Sequence, residues 1–341
     1  PVAAFPNLRA LAWAGDELYT SVGYQLLRAK MNDNPITWQP VARYNPVWWR
    51  KLSACTPLSL RLFRDGFHAL AILPSKHFVA AVPGAIISLN PGETEFRVTH
   101  HVTRGTRPLH IAATPDGQMY WGEYFDNPQR DEVHVYSSTD YGLTWDVIHT
   151  FPKGAIRHGH NIVYDPWEKC LWVLTGDNGA ECRILKTNAA FTHVETLLSG
   201  NQQTRAVALV PSEEGIYFSS DTPFEQNYNY RLDRRGHLER LNDVNASSIY
   251  GCRVAKSMFF STMVEPSRVN LSSEARLYGN LRGSGWVPLL GWQKDRWPMR
   301  WFQYGNIVLP DGHNTSSLLA ITSVALQGGG LQTSIWKPRL P

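Results

Sequence analysis

Long apolar runs are missing from this sequence. None approaches the ~18 residues that a bilayer-spanning helix needs, so no membrane partner is expected. Charge is scarce as well. Asp, Glu, Lys and Arg make up 18% of the chain, the formal net charge is +4, and the basic residues form no block that could follow a phosphate backbone. Nucleic acid is therefore not expected as a partner, while a mild bias toward anionic ligands is left. Cysteine is nearly absent, and its four copies, Cys55, Cys170, Cys182 and Cys252, lack C-x-x-C spacing. Buried free thiols are expected rather than a thiolate zinc site. The chain begins at Pro1 and not at Met. With a leader removed it would be secreted or periplasmic, and otherwise cytoplasmic. Oligomeric state is not legible.

What is abundant is aromatic: 13 Trp, 14 Tyr and 13 Phe, among 26 Gly and 22 Pro. That mixture suits many short strands and tight turns. One stretch stands out, Ser138-Thr139-Asp140-Tyr141-Gly142-Leu143-Thr144-Trp145, between strand-like runs at Val133 to Tyr136 and Asp146 to Phe151. An Asp at its centre can accept backbone N–H bonds, Gly142 can take a positive φ, and Trp145 can pack beneath the turn. The stretch resembles the Asp-box, or BNR repeat, of sialidases and other β-propeller proteins that act on sugars. In that family the loop is structural and joins the two outer strands of a blade.

A repeat supports the same architecture. Turns at Ala14 to Asp16, Pro74 to Lys76, Pro115 to Gly117, Pro166 to Glu168, Pro211 to Glu213, Ala255 to Lys256 and Pro310 to Gly312 recur about every 49 residues, within the range of propeller repeats. Each is flanked by two short strand-like runs, for example Asn161 to Tyr164 and Cys170 to Thr175. Weaker relatives of the loop occur at Asp33 with Trp38, Asp233 with Gly236, and Gly283 to Trp286. The expectation is an all-β, seven-bladed β-propeller, with six and eight blades as the alternatives, spanning 1–341 as one domain. Residues 44–60, with Trp48 and Trp49, read as an insertion between the first and second blades.

In a propeller the first strand of a blade begins, and the second ends, on one face. Counting back from the turns puts Arg107, His158, His160, Gln203, Arg205 and Tyr304 at the starts of first strands, with Arg157 beside His158, His110 just after Arg107 and Tyr250 entering from the sixth unit. The second strands end at Glu123, Tyr124, Asp177, Asp221 and Glu265. Arginines with His and Tyr suit a carboxylate-bearing sugar, because guanidinium groups bind carboxylates bidentately. The same residues could instead be ion pairs between adjacent strands, as Arg107 with Glu123, Arg157 with Asp177 and Arg205 with Asp221. His158-Gly159-His160 puts two imidazoles on one side of a strand. Three roles fit the pair: ligation of a divalent metal with Asp177 or Glu123, proton transfer, or hydrogen bonding to sugar hydroxyls.

The resemblance to Asp-box proteins implies a carbohydrate-active enzyme that cleaves an acidic, uronate- or sialate-containing oligo- or polysaccharide, by lyase or glycosidase chemistry. Arg107, Arg157 and Arg205, with His110, Gln203, Asp221 and Glu265, would bind the substrate. His158 or His160 would carry the proton, with Tyr124, Tyr250, Tyr304, Glu123 and Asp177 as further catalytic candidates. A propeller that binds a glycan or another protein without catalysis is the alternative, and no cofactor beyond a divalent metal is implied.

Overall fold

Brief β-branched and aromatic runs separated by Gly, Pro and Asn cannot sustain helices, and the chain folds as strands. The computed structural model describes residues 1–338, with 51% strand and 7% helix, and the protein is all-β. These residues form two compact units.

One unit comprises His68–Pro91 and Arg97–Val244. It contains four antiparallel meanders of four strands each. Sheet B runs through Ala69–Ile72, Phe78–Val82, Ala85–Leu89 and Arg97–His101, and sheet C through Ala112–Ala113, Met119–Gly122, Val133–Ser138 and Asp146–Phe151. Sheet D is His158–Asp165, Cys170–Gly176, Arg183–Thr187 and Val194–Ser199; sheet E is Ala206–Ser212, Gly215–Ser220, Asn227–Asp233 and Leu238–Val244. The second strands read as unbroken apolar runs because both their faces are covered: Phe78–Val82 and Cys170–Gly176 are buried throughout. The fourth strands are the opposite. Arg97–His101 and Val194–Ser199 have no wholly buried residue and carry the polar edge.

The loop at 138–145 joins the third and fourth strands of sheet C, as expected. The Asp140 carboxylate accepts bonds from the backbone N–H of Leu143 (3.1 Å) and Thr144 (2.9 Å) and from the hydroxyls of Ser138 and Thr144. Gly142 has φ +82°, and its carbonyl accepts a 2.6 Å bond from Ser88 of sheet B. A Cβ there would come within 2.9 Å of the Ser88 Oγ, so only glycine permits this approach. Trp145 meets Trp121 edge-on beneath the turn.

The other unit comprises Pro1–Phe67, Gly92–Phe96 and the residues from Asn245 on. Sheet A consists of Arg9–Gly15, Glu17–Val22, Gln25–Lys30 and Gln39–Arg43, with Asp311–Asn314 added in parallel beside Arg9–Gly15. The turn expected at Pro310 to Gly312 therefore starts a strand instead. Gly312, at φ +87°, lies so close to the Trp13 backbone that a Cβ would sit 3.1 Å from its nitrogen.

Sheet F has eight strands. Ser248–Val254, Ser257–Val264, Glu274–Asn280 and Trp286–Gln293 form one meander, and Gly305–Val308, Leu319–Leu326, Gly329–Trp336 and Ala3–Pro6 the other. Met263 opposite Asn306 and Val264 opposite Gly305 are the pairings that join them. Where seven separate blades were expected, five sheets of four or five strands stand alone and the eight strands of sheet F, the first strand of the chain among them, merge. The merger follows from the length of Ser257–Val264, whose final two residues have outrun their meander partner and pair with the next strand.

The expected insertion is two short helices, and it extends beyond residue 60: α1 (Trp48–Ser53) and α2 (Pro57–Phe63). Thr56 caps α2 by accepting from the Ser59 N–H at 3.1 Å, Pro57 supplies a preset φ, and Arg64 ends the helix at φ +52°. Asp65, 1% exposed, accepts bonds from Tyr24 (2.8 Å), Arg50 (2.5 Å) and Ser53 and so fixes α1. Arg61 is buried in α2. It donates to Asp295 (2.8 Å) and the Phe302 carbonyl (2.7 Å), locking α2 to the one-turn helix α3 (Met299–Phe302).

Candidate functional site

Sheets C, D and E bring one group of the expected residues together. His158 opens the first strand of sheet D, where the register shifts between Gly159 and Asn161 and leaves His160 as the extra residue of a β-bulge. A regular strand holds residues i and i+2 about 6.6 Å apart, whereas these ring centroids are 5.1 Å apart. Asp177 follows the end of the neighbouring strand, and all three side chains are buried.

Their ring nitrogens are oriented by the backbone. His158 Nδ1 is 3.0 Å from the Phe125 carbonyl oxygen, and His160 Nδ1 is 2.9 Å from that of Ala206. A carbonyl only accepts, so each Nδ1 carries the hydrogen. The Nε2 atoms then face each other at 3.2 Å. Asp177 closes the triangle, with Oδ2 at 3.5 Å from His158 Nε2 and Oδ1 at 3.3 Å from His160 Nε2. Burial pushes the His160 imidazole down, toward its neutral form, and the neighbouring His158 adds to that. Burial also works against the Asp177 charge. The positive charge on Arg205 favours it.

Two arginines complete the group. Arg157 Nη1 lies 3.4 Å from Asp177 Oδ2 while its Nη2 is 2.5 Å from Asp126, the contact that chiefly raises its pKa. Arg205 Nη2 lies 3.3 Å from Asp177 Oδ1, and its Nε is 3.4 Å from Asp221. Two of the three anticipated cross-strand pairs are thus present. The third is exchanged: Glu123, 4% exposed, pairs with Arg104 and accepts from the His134 N–H at 2.8 Å, in place of Arg107. Tyr124 leans over the group, its ring 4.4 Å from that of His158.

The remaining candidates are distributed elsewhere. Gln203 is turned to Glu225 (2.7 Å) and to the Tyr230 hydroxyl (2.8 Å). Arg107 and His110 are half-buried at the entry to sheet C. Tyr250, Glu265 and Tyr304 belong to the other unit, where burial, then Glu265, pushes the Tyr304 phenol up. Sequence reasoning missed Arg104, Asp126 and Gln202, whose Nε2 donates to the Asp177 carbonyl at 2.8 Å. Their signal was proximity: each lies within three residues of a chosen position.

A second grouping of His, Cys or carboxylate donors forms at Asp165, Glu168 and Cys170. It is filled by Arg234, which donates to Asp165 (2.5 Å) and Glu168 (2.9 Å). Among the four thiols Cys170 and Cys182 are buried as expected, and burial pushes them up to about 12 and about 11. Cys55 departs from that expectation and is exposed, at the end of α1 where no sheet covers it.

A different surface stands on α1, α2 and α3. Trp48 is 73% exposed and Trp301 57%, and Trp49, Leu52, Phe63 and Trp297 are exposed with them. Residues 44–64 contain no acidic residue, and Arg50, Arg296 and Arg300 lie over the Trp49, Trp297 and Trp301 rings. Among the described residues no helix is long and apolar enough to cross a membrane.

No protein-family model and no curated protein sequence matches the chain. Solved structures do. A chain in the crystal structure of the mitotic checkpoint complex aligns over 99% of this chain and 94% of its own length, at 8% identity and a TM-score of 0.59. A chain of the nidogen/laminin complex aligns over 87% and 97%, at 10% identity and 0.51. Chaetomium thermophilum Sqt1 bound to the N-terminus of the ribosomal protein L10 aligns over 97% and 83%, at 13% identity and 0.53. At such identities the likeness is one of fold, and the fold is a β-propeller.

Proposed function

We propose that this chain is a non-catalytic β-propeller that binds another protein through the tryptophan-bearing helices, and that its occupant is an acidic segment with apolar anchors. One observation carries the reading: large aromatic side chains stand exposed on α1 and α3 while buried ties, Asp65 to Arg50 and Arg61 to the Phe302 carbonyl, anchor those helices. Exposed Trp on a fixed support favours tight association, because little side-chain freedom is lost on binding. The basic residues around the rings, with no acid in 44–64, complement negative charge. The three similar solved structures were all crystallised in complexes, which agrees with this use of the fold.

Cleavage of an anionic glycan has less support. Arg157 and Arg205 already face the protein's own Asp177, Asp126 and Asp221, whereas a substrate carboxylate needs guanidinium groups turned toward it. We read the eight-stranded sheet F as two blades, which makes seven in all, and the 138–145 loop as an Asp-box used structurally.

The test is selection of a displayed peptide library on the protein, followed by affinity measurement against Trp48→Asp with Leu52→Asp. Acidic peptides with aromatic or aliphatic anchors, weakened at least about 100-fold by the double substitution, are expected. Binders indifferent to the substitution would sink the proposal. So would new double bonds or reducing ends appearing in uronate or sialate glycans.

A further inference from the structure

We infer that His158, His160 and Asp177 bind a divalent transition metal, with zinc as the best fit, at a buried centre independent of the helical surface. Two neutral imidazoles with hydrogens on Nδ1 present a lone pair from each Nε2. At 3.2 Å, with Asp177 Oδ2 3.5 Å from the His158 Nε2 and Oδ1 3.3 Å from the His160 Nε2, four electron-rich atoms face one another, and between two neutral rings no hydrogen separates them. Such a triangle is repulsive unless a cation sits in it.

Its dimensions fit a metal. Tetrahedral zinc with bonds of about 2.0 to 2.1 Å separates its ligand atoms by roughly 3.3 to 3.4 Å; here the two Nε2 atoms are 3.2 Å apart, and each lies 3.3 or 3.5 Å from a different oxygen of Asp177. The donor set of two imidazoles and one carboxylate suits zinc and its neighbours and leaves coordination positions for water or a ligand. The outer shell is also that of a metal centre: each Nδ1–H is anchored on a backbone carbonyl, and each Asp177 oxygen is held by an arginine. Asp165, Glu168 and Cys170 make the useful contrast, because there Arg234 and the Trp172 indole donate hydrogens into the group.

The protein, made without a histidine tag and dialysed against chelator, is titrated with Co2+ and Zn2+. The expected result is one ion per chain retained through gel filtration, visible Co2+ absorption with nitrogen ligation, and a higher melting temperature. His160→Gln and Asp177→Asn lower the affinity by at least about 100-fold, and Arg157→Ala by about 10- to 100-fold. Should a variant unfold, nitrogen-15 NMR of the wild-type imidazoles decides alone: both Nε2 resonances must shift with one equivalent of Zn2+. Histidine resonances unmoved by metal, with one ring doubly protonated, would overturn the inference and assign the gap to a trapped proton. Retention of metal by His160→Gln at wild-type affinity would overturn it too.

Discussion

Asp165 and Asp177 lie on the same sheet, both buried and both flanked by arginine, yet their surroundings are built on different principles. Around Asp165 every partner is a donor: the N–H groups of Trp167 (3.0 Å) and Glu168 (3.3 Å), the Trp172 indole (3.0 Å) and Arg234. Around Asp177 two of the neighbours are imidazole nitrogens whose hydrogens point away to carbonyls. Charge balance alone does not distinguish a structural carboxylate from a ligand. The direction of the hydrogens does.

Breaking the donor shell of Asp165 is expected to have the largest effect. Arg234→Ala leaves a carboxylate with no solvent exposure and no cation, at a cost of about 3 to 5 kcal/mol in denaturant unfolding. A loss below about 1 kcal/mol would mean the pair is dispensable. Asp65, whose partners Tyr24, Arg50 and Ser53 are likewise donors, should behave in the same way. Asp65→Asn removes the charge from a buried pair and should cost about 2 kcal/mol, with faster proteolysis within residues 48–63.

Asp140 belongs to the same class in a more exposed setting. Burial is the largest single influence there and opposes its charge, but the bonds from Thr144, Ser138 and Leu143 together prevail and depress its pKa. A depressed carboxyl contributes stability that is present above its unfolded value of about 3.9 and is lost as pH falls through the lower folded value. Asp140→Ala should therefore cost about 1 kcal/mol at neutral pH and flatten the stability loss below about pH 4, as followed by thermal melts. The smallest effect is expected at the other kind of site. In metal-free protein His160→Gln removes one of two facing lone pairs and should cost less than about 1 kcal/mol. A loss of several kcal/mol would place a proton in the triangle and erase the difference between the two aspartates.

Local chemistry was legible in the sequence wherever it acts within a few residues. The loop at Ser138 to Trp145 and the all-β character follow from turn residues and short apolar runs, and the His-x-His pair with Asp177 follows from the ends of adjacent strands. What was not legible depends on pairing at long range. The second strand of sheet F joins Gly305 because of its length, and Asp311–Asn314 pairs with Arg9–Gly15 because a glycine lets two backbones meet. Neither leaves a periodic trace. The exchange of Arg107 for Arg104 at Glu123 is of the same kind, since a shift of three residues in a loop changes no pattern.

The pairing of Ala3–Pro6 with Gly329–Trp336 bears on the order of events in synthesis. Ala3–Pro6 has its partner made more than three hundred residues later, and closing such a distance is slow. Until then the nascent chain carries an unmatched edge at Ile335's future position, a natural seat for a chaperone or for a second chain.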